Sequence, residues 1–159
     1  MISIRTAQQQ DDAALVAIDD ATWSTATSPA PPPEGPRSFF ERVAPDDVLV
    51  AERGGRVVGY AALHNSLDAP SHRHVLEIRG LAVHPDAAGR GIGAALVEAA
   101  VVEAARRGAR KVTLRVLGSN DRARQLYARC GFVEEGVLRD EFVLDGSYVD
   151  DVLMARFVG

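Results

Sequence analysis

The segment that most limits how this chain can fold runs Leu81-Ala82-Val83-His84-Pro85-Asp86-Ala87-Ala88-Gly89-Arg90-Gly91-Ile92-Gly93-Ala94. An apolar strand feeds a glycine-rich turn. The turn opens a helix with Ile92, Leu96, Val97, Ala100, Val101 and Ala104 on one face. A helix begun this way points its first, unpaired N–H groups outward, with the positive end of the helix dipole behind them. Glycine lets backbone approach a ligand closely and take positive φ. The segment therefore predicts an anion cradle suited to phosphate, to which Arg90 adds a cation. A P-loop is excluded, because no Gly-Lys-Ser/Thr closes the turn. The dinucleotide pattern G-x-G-x-x-A is matched by Gly89, Gly91 and Ala94. The next strand, however, ends Val116-Leu117-Gly118-Ser119-Asn120, without the acid that would hold a ribose. For a glycine motif standing alone, a plain connecting turn is the competing reading.

The rest of the chain sets this turn in a definite order of elements. Ile2 and Ile4 alternate with polar residues in a first strand over 1–6, and Asp11 and Asp12 start a helix reaching about Trp23. Residues 24–36 hold five prolines and read as extended loop, followed by a short helix over 38–43. Strands over 48–52 and 57–64 flank the hairpin signal Gly54-Gly55. After a loop over 67–73, a third central strand covers 74–83 and a helix covers 91–107, ended by Gly108. A strand over 111–116 precedes a helix capped by Asn120 and ending near Cys130-Gly131. Two final strands, 132–144 and 147–157, meet at Asp145-Gly146. The order βα(α)βββαβαββ mixes hairpins with crossovers. The expected fold is thus α+β, a single domain over 1–159 with a mixed central β-sheet flanked by helices.

Charge is distributed in a way that agrees with the cradle. The net charge is −4. Between Arg79 and Arg129, ten basic residues face four acidic ones, giving +6 and leaving the remainder at −10. A basic third within an acidic chain suits a local anionic ligand, although a solvated helix face would also collect arginines. Nucleic acid is not expected, because no basic run is interleaved with aromatics. No apolar run approaches the roughly 18 residues of a membrane span, since Glu98 and Glu103 interrupt the longest. The one cysteine, Cys130, allows no internal disulfide and fits a reducing, cytoplasmic setting. No Cys/His spacing predicts a metal site; His72-x-His74 supplies two ligands without a third.

With these motifs in place the chain resembles the GCN5-related N-acetyltransferase (GNAT) family. The family signature Arg/Gln-x-x-Gly-x-Gly/Ala falls on Ala88-Gly89-Arg90-Gly91-Ile92-Gly93. The Leu-Ala-Val-His-Pro lead-in, Asn120 and the Leu126-Tyr127-x-x-x-Gly131-Phe132 run follow in the family's order. The tail, with Gly136-Val137-Leu138-Arg139-Asp140, Asp145-Gly146-Ser147-Tyr148 and Val152-Leu153-Met154, is similar to the phosphinothricin and ribosomal-protein acetyltransferase branch. Ala88 departs from the signature and removes one side-chain contact, an effect of about 1 kcal/mol.

The resemblance implies acetyl-CoA as cosubstrate, with its diphosphate on backbone from Gly89, Arg90, Gly91, Ile92, Gly93 and Ala94. Its pantetheine arm would pair with Leu81, Ala82 and Val83, and a bulged or splayed strand would free those groups. A backbone N–H near Val83 is the implied oxyanion donor. Asn120 would bind the pantetheine amide, or simply cap its helix. Tyr127 is the implied acid at the departing thiolate, against a packing role. Glu77 is the candidate base, directly or through water, against an ion pair with Arg79 or another arginine. Strand alternation puts Glu77 on the face of Arg79, Leu81 and Val83 unless a bulge intervenes. A histidine among His64, His72 and His74 is a further candidate base. Cys130, at a helix C-terminus, reads as packing rather than as a nucleophile. Trp23, Phe39, Phe40 and the Asp145-Gly146 hairpin are expected near the acceptor, with two or more of the aromatics in the core. The expected partner is a small-molecule amine or a peptide N-terminus, with a homodimer plausible through the C-terminal hairpin. A non-catalytic acyl-CoA binder is the alternative.

Overall fold

The computed structural model describes residues 1–159. Seven strands form one sheet: β1 (Ile2–Thr6), β2 (Val48–Arg53), β3 (Arg56–His64), β4 (Val75–Val83), β5 (Lys111–Leu117), β6 (Val133–Leu144) and β7 (Ser147–Phe157). Their order is β1-β2-β3-β4-β5-β7-β6, and β4–β5 is the parallel pair among antiparallel ones. Three helices, α1 (Asp12–Thr22), α2 (Ile92–Arg106) and α3 (Asp121–Arg129), complete a mixed α+β fold. The expected second helix over 38–43 is instead one 3-10 turn, Phe39–Glu41. Its Phe40 N–H is taken by the Ser38 and Asp12 side chains rather than by a growing helix. Another 3-10 turn, Pro70–His72, lies within the expected loop.

The two sheet faces bury different clusters. The apolar stripe of α2 is buried against Leu63, Ile78, Leu114, Val116 and Phe132 in the larger one. Leu15 and Ile18 of α1 meet Val48, Val50, Tyr60 and Ala62 on the opposite face. Phe39 and Phe40 pack against this second cluster.

One irregularity in β4 opens the sheet. Ile78 pairs with Leu63 and Gly80 with Ala62, so Arg79 is an extra residue without a partner on β3. On its other side β4 pairs with β5 only over Val75–Glu77. Beyond that point the two strands splay, and one edge of β4 from Ile78 to Val83 has no neighbouring strand. The bulge also reverses the alternation of side chains. Ile78, Leu81 and Val83 all face the α2 cluster, while Ala82 faces the α1 cluster. Glu77 therefore does not share a face with Leu81 and Val83, as unbroken alternation would have it; it stands on the α1 side.

Candidate active site

The cradle is made of backbone. Gly89 and Gly91 have φ of 77° and 76°, values that L side chains rarely adopt, so glycine is what lets the turn close. The first hydrogen bond of α2 runs from Ala95 N–H to the Gly91 carbonyl at 3.1 Å, and the N–H groups of residues 89–94 donate to no other carbonyl. No side chain caps the helix start either. Six consecutive donors thus have no partner within the protein at the positive end of a 15-residue helix. Upstream, His84 N–H bonds Val58 O at 2.7 Å, and His84 Nδ1 accepts from Asp86 N–H at 3.2 Å, which seats the turn on β3.

A groove of about 1670 Å³ leads from this cradle along the free edge of β4. Leu81, Ala82, Val83, Gly89, Gly91, Ile92, Gly93 and Ala94 line one wall, and Asn120 and Tyr127 line the wall from α3. Gly93 keeps the walls close, because a Cβ there would come within 3.3 Å of Leu126 Cδ2. Ala88 also lines the groove, whereas Arg90 is exposed on the outside of the turn. Asn120 accepts from Ala123 N–H at 3.2 Å through its side-chain oxygen, a cap that leaves the amide NH₂ for another partner.

Tyr127 packs edge-on to Phe132 with ring centroids 6.2 Å apart. Burial, with a smaller contribution from Cys130, pushes its phenol up to about 12. It therefore keeps its proton across the neutral range. Cys130 is itself buried at the end of α3, and burial raises its thiol further from ionisation.

Much of the basic segment is neutralised within the fold. Arg106 and Arg107 pair with Glu103, Lys111 with Glu135, Arg115 with Asp151, and Arg124 with Glu134. Arg122 and Arg129 of α3 line the groove without an acidic partner. Positive charge at the groove thus comes from α3 and the helix start more than from Arg90.

The far end of the groove collects side chains from separated segments. Glu77 lines it and forms no ion pair; Arg79 instead lies 3.2 Å from His64 Nε2. Trp23 lines it too, anchored through its indole N–H to Ala30 O at 3.0 Å. The Asp145 carboxylate accepts from Thr25 Oγ1 at 2.5 Å, so the hairpin meets the proline-rich loop above the groove. His72 and His74 have ring centroids 6.5 Å apart, and no group of three potential metal ligands accompanies them. Phe39 and Phe40 do not line the groove; they lie half-buried against the α1 cluster. Asp19, Tyr60, Arg37, Glu141 and Phe142 also line this end and had no motif to announce them.

Residues 15–132 match the family model described as acetyltransferase (GNAT) family, and the chain belongs to that family. It is 33% identical over 134 residues to the phosphinothricin N-acetyltransferase of Alcaligenes faecalis, covering 74% of this chain and 68% of that one. It is 30% identical over 162 residues to the L-amino acid N-acyltransferase MnaT of Escherichia coli, covering 96% and 92%. The structure of yncA from Salmonella typhimurium, a protein described with its cofactor acetyl-CoA, shares the fold with a TM-score of 0.82 at 24% identity, over 100% and 95% of the chains. No helix is long and apolar enough to cross a membrane.

Proposed function

We propose that the protein is an N-acetyltransferase that moves acetyl directly from acetyl-CoA to a primary amine on a small molecule. The observation that carries this reading is the continuity of the six open N–H groups of residues 89–94 with the unpaired edge of β4 and with Tyr127. The cradle suits the coenzyme's diphosphate, and Arg122 and Arg129 add charge beside it. The free edge of β4 over Leu81–Val83 suits the amides of the pantetheine arm, as an added strand would. The acyl group then lies where the strand leaves the Arg79 bulge, and a β4 N–H is available to the oxyanion.

Direct transfer needs a neutral amine. Glu77, a carboxylate without a protein cation, removes a proton from the ammonium directly or through water. The nitrogen attacks the thioester carbon, a C–N bond forms and the C–S bond breaks. Tyr127 meets the leaving thiolate. A phenol at about 12 is a weaker acid than a thiol near 8.5, so Tyr127 stabilises the thiolate by hydrogen bonding. The proton that completes the thiol comes from the attacking nitrogen, which is cationic in the adduct and loses that proton as the amide forms. Relatives named for L-amino acids and phosphinothricin favour a small acceptor over a protein N-terminus. The test is thiol release from acetyl-CoA across a panel of primary amines. Release with small amines is expected, and coenzyme binding without release across the panel would make the protein a binder.

A further inference from the structure

The acceptor end of the groove holds a carboxylate that the proposed transfer leaves unused. Asp19 lies on α1, one turn before Trp23, and is half-buried where it lines the groove. The Tyr60 hydroxyl donates to its Oδ1 at 2.5 Å. Its Oδ2 accepts from no group of the protein. The nearby cation, Arg37, is committed to Asp20 at 2.7 Å. Burial raises the Asp19 carboxyl and Asp20 adds to the rise, while the Tyr60 hydrogen bond and Arg37 pull it down. A half-buried carboxylate with an open oxygen and no ion-pair partner is a site for a cation.

Its position says which cation. Tyr60 is the register partner of Ala82, and its ring lies over Gly80, where a Cβ would come within 3.1 Å of Tyr60 Cε2. Gly80 follows the bulge at which β4 leaves β5. The Asp19–Tyr60 pair therefore borders the stretch of β4 assigned above to the acyl end of the coenzyme.

We infer that Asp19, held by Tyr60, binds the ammonium of the acceptor beside the thioester, so that acceptors are selected as cations. This rests on the transfer reading above. Asp19 Oδ2 accepts one N–H of the ammonium, while the buried Tyr60 holds the carboxylate through Oδ1. Glu77 takes the proton that frees the nitrogen lone pair; Asp19 orients the amine and undergoes no net change. The charged and titratable groups around Asp19 are Tyr60 on β3, Asp20 on α1 and Arg37 in the following loop. Glu77, Arg79 and His64 line the groove farther along.

The test is steady-state kinetics of the full chain with acetyl-CoA and a panel of L-amino acids and primary alkylamines. Asp19→Asn is expected to raise acceptor KM roughly ten- to hundredfold, the loss of a charged hydrogen bond, with kcat and coenzyme Kd little changed. Carboxyl protonation weakens ammonium binding, so 1/KM falls on the acid side. Tyr60→Phe removes a bond that lowers the Asp19 carboxyl and should move that limb to higher pH; Asp19→Asn should abolish it. Unchanged KM in Asp19→Asn, or an unmoved limb in Tyr60→Phe, overturns the inference. If Asp19→Asn does not fold, wild-type protein is compared on an alkylamine and the O-alkylhydroxylamine of matching length, which is neutral at pH 7. A KM at least about tenfold lower for the ammonium is expected, and equal KM values overturn the inference. Absence of acetyl-CoA binding by the wild type would instead sink the transfer reading, and this inference with it.

Discussion

The two ends of the groove are built from different materials. The cradle is a contiguous run of backbone, residues 89–94, whose donors are main-chain N–H groups, with glycine at 89 and 91 holding the positive φ of the turn. The far end, proposed to hold the acceptor, is assembled from side chains on α1, β3, β4 and β6 together with the proline-rich loop. A backbone cradle tolerates an alanine at 88 because most of its donors remain. A side-chain pocket tolerates no such exchange without changing what it binds. The two ends thus answer differently to a change of side chain, and that contrast can be tested by changing each end separately.

The largest effect is expected between the two. Tyr127→Phe should lower kcat about a hundredfold or more while acetyl-CoA Kd stays nearly constant. Because its phenol is pushed up to about 12, wild-type kcat should show no loss from phenol ionisation as pH rises to 10. Equal losses in kcat and affinity would make Tyr127 a packing residue. Gly91→Val forces a β-branched residue to a φ of 76°, at a cost of about 1–2 kcal/mol. Calorimetry should find acetyl-CoA bound roughly tenfold more weakly, with kcat at saturation preserved; unchanged affinity would break the claim that this backbone is the cradle. Ala88→Arg restores the family's side chain on the groove wall and should tighten acetyl-CoA binding several-fold, up to about tenfold. No gain would mean that residue 88 does not reach the ligand. Thr25→Ala removes the exposed bond to Asp145 and should change stability by less than about 1 kcal/mol and acceptor KM only slightly. A large rise in KM would assign the loop–hairpin contact a part in holding the acceptor.

The same contrast explains what could be read from the residues beforehand. The strand, the Gly89–Gly93 turn and the α2 stripe are neighbours in the chain, so periodicity and turn chemistry suffice to place them. The Gly54-Gly55 and Asp145-Gly146 hairpins and the Asn120 cap are local in the same sense. The bulge at Arg79 is not, because it is a mismatch of register between β3 and β4 with no distinctive residue to mark it. It moved Glu77 to the α1 face, away from Leu81 and Val83. The Asp19–Tyr60 bond joins residues 41 apart, and each alone looks ordinary on a helix and a strand. The basic residues of that segment were countable, and the Glu103 pairs with Arg106 and Arg107 are local to α2, but the ion pairs of Lys111 with Glu135, Arg115 with Asp151 and Arg124 with Glu134 depend on tertiary packing. Phe39 and Phe40 lie half-buried against the α1 cluster, because the chain over 38–43 turns once and sets Phe39 on Tyr60 instead of extending as a helix.

The most direct measurement compares calorimetric titration of acetyl-CoA with that of S-acetylpantetheine, which carries the same thioester arm without the diphosphate. If the open N–H groups of residues 89–94 hold that diphosphate, acetyl-CoA binds saturably. Loss of several charge-assisted hydrogen bonds then weakens S-acetylpantetheine by about a hundredfold or more. No binding of acetyl-CoA, or equal affinity for the two compounds, would contradict the account.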